Sequence, residues 1–230
     1  MILDMPQRLL LILTTGQIPG PTIEADWGDE VVVHVKNSLS TDSHNGTSLH
    51  FHGIHQKDSN SADGAASVTQ CPLAPGETYT YRWTATQYGS SWYHSHFGFQ
   101  AWNGVFGGIL INGPASADYD VDMGTLTLND WNHWTSDMLY PISEEVGVVT
   151  GLTGLINGTN KWNTSISSDP TSPGAVAPVT TNGTLFGNSS KTDLVGEYYS
   201  LKFEAGLSYR LRLVNTAIDS GFRYFFLFPL

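Results

Sequence analysis

The sequence has few charged residues, and most of them are acidic. Charged side chains make up 13% of the 230 residues, with 10 Lys and Arg against 21 Asp and Glu, which gives a net charge of −11 at pH 7. Nucleic-acid binding requires clustered Lys and Arg to neutralise phosphates, and the basic residues of this chain are scattered. The composition therefore predicts no nucleic-acid partner.

Cysteine and long apolar runs are also scarce. Cys71 is the only cysteine, so no disulfide can close within the chain, and Cys71 has either a partner elsewhere or a free, buried thiol. The apolar run Leu9–Leu13 is shorter than a signal-peptide core of about 7–15 residues and is predicted to be a strand. No run approaches the roughly 20 apolar residues of a membrane-spanning helix, so no membrane association is predicted.

Glycine and aromatic residues are abundant, with 24 Gly, 7 Trp, 10 Tyr and 10 Phe. Short apolar or alternating runs such as Val31–Val35, Thr78–Trp83 and Tyr209–Asn215 are separated by Gly and Pro turns, and no 3.6-residue period is sustained. This pattern predicts an all-β chain folded as a sandwich or barrel.

Two His-x-His pairs, His50/His52 and His94/His96, contain half of the eight histidines of the chain. Side chains two residues apart lie on the same face of a strand, roughly 7 Å apart, so the four imidazoles converge if the two strands are neighbours. Neutral imidazole suits zinc, copper, iron or nickel. The four histidines are predicted to form one metal site, and ordinary surface histidines are the alternative.

The residues around these pairs resemble a known family. His50-Phe51-His52-Gly53 and Trp92-Tyr93-His94-Ser95-His96 are similar to the first two copper motifs of multicopper oxidases, and their surroundings resemble fungal laccases of the ascomycete type. The resemblance is strongest up to Pro114 and extends over Gly16 to Asn215. Further similar segments are Ile18–Asp29, Asp63-Gly64, Gln70-Cys71-Pro72, Gln87-Tyr88-Gly89 and Ile111–Pro114.

The resemblance implies a domain order. Residues 1–114 are expected to form a cupredoxin-like (plastocyanin-like) Greek-key β-sandwich or barrel domain, and residues 115–230 an incomplete second cupredoxin-like domain. Residues 115–120 are the expected linker, and residues 157–190 are expected to be mostly a long loop. A third cupredoxin domain, absent here, is the expected partner, and further sequence is expected upstream of Met1.

The resemblance also implies an activity and its cofactor. Laccases couple the one-electron oxidation of phenols and aromatic amines to the reduction of dioxygen to water. They use a type 1 copper, bound by a cysteine and histidines, and a trinuclear cluster of type 2 and type 3 copper bound by histidines. The phenolic substrate and dioxygen are therefore the expected small-molecule partners. The type 1 site belongs to the third domain, and Cys71 does not match its cysteine because no histidine flanks it.

Carried over by position, the family pattern assigns four ligands, half of those of the cluster. His50 binds the type 2 copper, His52 and His94 share one type 3 copper, and His96 binds the other. Asp63 corresponds to an acid close to the cluster that orients water and relays protons. A turn residue before Gly64 is the alternative interpretation of Asp63.

The remaining histidines and the sequons bear on other properties of the chain. His34 is predicted to be structural and His133 structural or surface. His55 is predicted to be a neighbour of the ligands or a surface residue, and not a ligand. The resemblance implies a role in lignin degradation, and in laccases the cysteine that matches Cys71 is tied to the C-terminal region. Five Asn-x-Ser/Thr sequons favour a secreted, extracellular glycoprotein, at Asn45, Asn157, Asn163, Asn182 and Asn188.

Three functions are compatible with these observations. The first is a piece of a laccase-like oxidase, and the second is a truncated, catalytically silent copper-binding module. The third is a mononuclear zinc hydrolase with an activated water, which is disfavoured because the chain has no His-Glu-x-x-His motif.

Overall fold

The computed structural model describes residues 11–12, 17–39, 46–132, 135–146, 153–163 and 194–224. Strands are the main regular secondary structure of these residues, with a single α-helix, which confirms the predicted β class. The described elements are β1 (Leu11–Ile12), β2 (Gly20–Asp26), β3 (Glu30–Lys36), β4 (Leu49–His52), β5 (Thr78–Thr84), β6 (Gly89–Ser95), β7 (Phe106–Asn112), β8 (Val121–Trp131), α1 (Ser136–Val146), β9 (Thr153–Ile156), β10 (Lys161–Asn163), β11 (Leu194–Gly196) and β12 (Tyr209–Asn215).

Two sheets enclose the main core. Their strand orders are β1-β3-β5 and β2-β7-β6-β4, and smaller sheets have the orders β12-β8-β9 and β10-β11. Alternate residues of β3 and β5 are buried, as the period of two in a half-buried strand requires. The inward faces of the two sheets share one cluster, so the architecture is a sandwich. Its most buried members include Ile23, Val31, Val33, Phe51, Tyr81, Trp83, Tyr93 and Ile109.

Strand β7 lies between β2 and β6 and is buried on both faces. A Cβ on Gly107 would lie 2.4 Å from the Tyr93 hydroxyl, and one on Gly108 would lie 2.3 Å from Oγ1 of Thr125. The Tyr93 hydroxyl occupies this space because it donates a hydrogen bond of 2.8 Å to the Pro21 carbonyl. The glycines therefore allow an aromatic side chain and a neighbouring segment to pack directly on the backbone.

The described residues fall into two compact units. Those within Met1–Thr127 and Lys202–Val214 form the first, and those within Leu128–Leu201 and Asn215–Leu230 form the second. The first unit contains an ion pair in which Nη2 of the buried Arg212 lies 2.6 Å from Oδ2 of the partly exposed Asp122.

The second unit has its own hydrogen-bonded framework. The buried carboxylate of Asp130 accepts backbone N–H bonds from the three residues 218–220, at 2.9–3.0 Å. Strand β9 pairs with the end of β8, and β10 pairs with β11. Each pairing is antiparallel.

Several sequence predictions are resolved by these elements. Leu11–Ile12 of the N-terminal apolar run is a strand, as predicted, and the rest of that run lies outside the described residues. The helix α1 was not predicted, and Pro141 stands inside it, where proline usually ends helices. Cys71 is exposed, so the buried-thiol alternative is wrong. No helix in the described ranges is long and apolar enough to cross a membrane.

The expected long loop over residues 157–190 also contains structure. Strand β10 occupies Lys161–Asn163 within it. Residues 164–190 lie outside the described part of the chain. Residues 157–160 therefore form a turn, as expected, β10 interrupts the expected loop, and the loop stays a prediction for residues 164–190.

We predict that Gly107→Ala lowers the free energy of unfolding by about 1–3 kcal/mol, because the added methyl overpacks against Tyr93. Gly221→Ala is the control, since a Cβ there meets nothing within 4 Å, and its expected effect is within about 0.5 kcal/mol. Urea unfolding of the 230-residue chain measures both. Equal stabilities for the two variants would contradict the packing of Tyr93 on β7.

Candidate metal centre

The two His-x-His segments are neighbouring antiparallel strands. In the β4–β6 register, His50 lies opposite His94 and His52 lies opposite Trp92. Residues that face each other across an antiparallel pair project to the same side of the sheet. One backbone hydrogen bond of 3.2 Å, from the N–H of His96 to the Ser48 carbonyl, extends the pairing past the end of β6. All four histidines are therefore brought to one side of the sheet.

The four imidazoles form a compact cluster. The ring centroid of His50 lies 5.6 Å from that of His52, 5.3 Å from that of His94 and 5.5 Å from that of His96. The centroids of His94 and His96 are 6.0 Å apart. One ring nitrogen from each of His50, His52 and His94 lies within 4.8 Å of the other two, which is a separation that could hold a metal ion.

Backbone carbonyls orient two of these rings. Nδ1 of His50 lies 2.6 Å from the carbonyl oxygen of Asp63, and Nδ1 of His94 lies 2.9 Å from that of Ser95. A carbonyl only accepts hydrogen bonds, so each Nδ1 carries the proton and donates it. Nε2 of both rings then has its lone pair available for a metal, as in metal sites where a second hydrogen bond fixes the tautomer.

His52 completes a pair of facing nitrogens. Its Nδ1 lies 3.4 Å from Nε2 of His94. Two nitrogens that are each about 2.0–2.1 Å from one tetrahedrally coordinated ion are roughly 3.4 Å apart. The spacing of this pair thus fits two ligands of a single ion.

Desolvation and mutual repulsion favour the neutral forms of His52 and His94. Desolvation lowers the pKa of His52, with a further lowering by the positive charge of a protonated His50. Desolvation also lowers the pKa of His94, to about 4, and the neighbouring imidazoles add to this although a hydrogen bond to Ser95 opposes it. A neutral imidazole is the form that binds metal, so the cluster is suited to an ion near neutral pH.

Asp63 lies beside the cluster at the end of a single 3-10 turn over Asn60–Ala62. Its carboxylate Oδ1 is 3.5 Å from Nδ1 of His50. The main-chain carbonyl oxygen of Asp63 is closer to the same nitrogen, at 2.6 Å. The following residue, Gly64, has φ +80°, and a Cβ there would lie 1.8 Å from the Leu49 carbonyl oxygen. Only glycine lets the loop approach β4 this closely, and this approach brings Asp63 to His50.

Trp92 is a neighbour of the cluster to which the sequence analysis assigned no role. Its ring centroid lies 5.3 Å from that of His52 and 4.3 Å from that of His94. The period of two along a strand could have indicated that Trp92 lies beside the cluster, since residues 92, 94 and 96 share one face. The indole therefore packs against two of the candidate ligands.

The other histidines lie apart from the cluster where they are described. Nδ1 of His34 is 2.8 Å from the hydroxyl of Thr80 on the adjacent strand. His55 is exposed, and its backbone N–H donates to Oε1 of Gln87. Both agree with the predicted structural or surface roles. His44 and His133 lie outside the described residues.

We predict that His94 of the metal-free chain titrates near pH 4 and not near its ordinary pKa of 6.5. The unfolded chain binds this proton at the higher pH, so lowering the pH through this window destabilises the folded chain. NMR titration of the imidazole carbons measures the midpoint directly. A midpoint near 6.5 would mean that the ring is solvated, contrary to the packing described above.

Sequence comparison identifies the family. A family model described as multicopper oxidase matches residues 4–116, and a second model with the same description matches residues 122–227. The chain is 46% identical over 209 residues to Laccase-1 of Botryotinia fuckeliana, covering 91% of this chain and 31% of that protein. It is 40% identical over 216 residues to a laccase of Neurospora crassa, covering 93% of this chain and 30% of that protein. The chain thus spans about a third of the length of these relatives.

The fold comparison agrees. The crystal structure of the laccase from Botrytis aclada matches with a TM-score of 0.73 and 43% identity, over 88% of this chain and 33% of that one. Copper is the metal that this family implies, and the four imidazoles are suitable donors for it. The chain belongs to the multicopper oxidase family.

Proposed function

We propose that this chain forms half of the oxygen-reducing copper site of a laccase-like multicopper oxidase. The observation that carries the proposal is the convergence of four imidazoles on one side of the β4–β6 pair. Within the proposed trinuclear cluster, His50 binds the type 2 copper, His52 and His94 share one type 3 copper, and His96 binds the other. The 3.4 Å separation of the His52 and His94 nitrogens supports a shared ion for that pair.

Copper, when bound, supplies the one-electron redox chemistry with which this family reduces dioxygen to water. The role of the chain is to present imidazoles in fixed orientations. The Asp63 and Ser95 carbonyls hold the Nδ1 protons of His50 and His94, and thereby direct each Nε2 towards the site. Because these hydrogen bonds already hold the two rings in the metal-free chain, the geometry is preorganised.

Asp63 is proposed as the residue that moves protons to reduced oxygen. Its main-chain carbonyl accepts the proton of His50, so the carboxylate is not needed to orient that ring. The carboxylate is partly exposed and lies 3.5 Å from the same ring. It can therefore hold a proton at Oδ1 and pass it to a water or a reduced oxygen species beside the cluster.

The rest of the proposed enzyme is expected outside this chain. A third cupredoxin domain would supply the remaining cluster ligands and the type 1 copper, which accepts electrons from phenols or aromatic amines. The division into domains at residues 114 and 115 also stays a proposal. It is supported by the two family models, which meet between residues 116 and 122.

We further propose that the protein is a secreted glycoprotein that acts on phenolic material such as lignin. The set of five sequons supports glycosylation and secretion, and Asn157 and Asn163 among them lie in the described residues. The similarity to laccases supports the phenolic substrate. A loss of mass on treatment with a peptide-N-glycosidase, after expression in a fungal host, tests the glycosylation. An unchanged mass would contradict it.

Copper binding tests the site in the 230-residue chain. We predict that the chain binds Cu²⁺ more tightly than Zn²⁺, and that His94→Ala weakens copper binding by at least about 100-fold. His34→Ala is the matched control, because His34 is also a strand histidine but contacts Thr80 instead of the cluster. Calorimetric titration measures the affinities. Equal loss in the two variants, or a preference for Zn²⁺, would contradict the proposal.

Turnover separates the oxidase from a silent copper-binding module. The copper-loaded chain alone should consume no dioxygen with a phenolic substrate, because it has no match to the type 1 site. A longer natural protein that also contains a type 1 site should consume dioxygen with the same substrate. Failure of such a protein to consume dioxygen would favour the silent module.

We predict that Asp63→Asn in that longer protein lowers the rate of dioxygen consumption by about 100-fold or more. Its copper content should stay unchanged, because the main-chain carbonyl still holds His50. Asp58→Asn is the control, since Asp58 is an exposed residue of the same loop. A normal rate in Asp63→Asn would remove Asp63 from the proton path.

A further inference from the structure

The β4–β6 pairing does not by itself fix the position of His96. The paired residues end at Leu49 and Ser95, and His96 follows the last residue of β6. Beyond that point the two segments share a single backbone bond, from His96 N–H to the Ser48 carbonyl, at 3.2 Å. Strand ends that are held by one bond fray readily, so another contact is needed to keep His96 beside His50.

The side chain of Gln100 provides that contact. Its Oε1 accepts hydrogen bonds of 2.7 Å from both the Thr47 hydroxyl and the Ser95 hydroxyl. Its Nε2 donates a hydrogen bond of 2.8 Å to the Gly46 carbonyl. One amide therefore connects the residues just before the first His-x-His pair to the residue between the two histidines of the second pair.

This connection lies on the side of the sheet opposite the cluster. Ser95 alternates with His94 and His96 along the chain, so its side chain projects to the other face, where it is buried. The backbone of Gln100 is itself anchored, because its carbonyl accepts the N–H of Val105, at 3.1 Å. The Val105 carbonyl in turn accepts the N–H of Ser95, at 2.9 Å. Gln100 is thus part of a fixed turn.

We propose that Gln100 is a positioning residue that sets the spacing of the two His-x-His segments, and with it the spacing of the copper ions. This inference rests on the proposed function, in which His50 and His96 bind different ions. Their ring centroids are 5.5 Å apart. Gln100 is hydrogen-bonded to both chain segments on the face of the sheet opposite the cluster. Metal sites lose affinity when ligands shift by about 0.5 Å, so loosening this connection weakens copper binding although no ligand is removed.

The test compares Gln100→Ala with Gln87→Ala in the 230-residue chain. Gln87 is a matched control because its Oε1 also holds a backbone N–H next to a His-x-His pair, that of His55, but at the other end of β4. We expect Gln100→Ala to lower the affinity for Cu²⁺ by about 10–100-fold, as removal of outer-shell partners does. Amide hydrogen exchange of His96 in the metal-free chain should accelerate at least tenfold. Gln87→Ala should leave both quantities unchanged.

Two further variants guard against a folding defect. Thr47→Val removes one bond to Gln100, and Ser95→Ala removes another together with the 3.3 Å bond that the Ser95 hydroxyl accepts from the Phe97 N–H. Each should reproduce part of the affinity loss, and Thr47→Val is the cleaner of the two. Unchanged copper affinity in Gln100→Ala and in both of these variants would overturn the inference. If the unsubstituted chain binds no copper, the proposed function fails instead, whatever the exchange rates are.

Discussion

The antiparallel register of β4 and β6 is the constraint on which the site depends. It places His50 opposite His94, and a slip of one residue would turn every imidazole of one strand to the other face. The core fixes this register, because Phe51 and Tyr93 are paired between the same strands and are both buried under the second sheet. The hydrophobic core and the candidate metal centre therefore lie on opposite faces of the same pair of strands, β4 and β6.

Hydrogen bonds to backbone carbonyls fix the orientation and tautomer of two of the candidate ligands. The carbonyls of Asp63 and Ser95 fix two tautomers without adding a charge, while burial keeps His94 neutral. The position of the Asp63 carbonyl depends on Gly64, whose lack of a side chain lets the loop lie against Leu49. Gly64 and the Asp63 carbonyl together therefore determine which nitrogen of His50 faces the site.

Part of this could be predicted from the sequence. The period of two along a strand indicated that His50 and His52 share a face and that His94 and His96 do likewise, and the flanking residues indicated the family. The pairing of the two strands could not be derived from local pattern, because it depends on contacts between residues about forty positions apart. The hydrogen bonds of Gln100 and the carbonyl contact of Asp63 were missed because they depend on how loop residues fold back onto the strands, which no period along the sequence indicates. The helix α1 was missed because its sequence includes Pro141.

The most direct test is a crystal structure of the copper-soaked 230-residue chain, with the metal located by anomalous scattering at the copper edge. We predict a copper ion between Nδ1 of His52 and Nε2 of His94, at about 2.0–2.1 Å from each. We also predict the Nδ1 atoms of His50 and His94 still bonded to the Asp63 and Ser95 carbonyls. Copper at His34 or His55, with no peak among the four clustered rings, would contradict the proposed site.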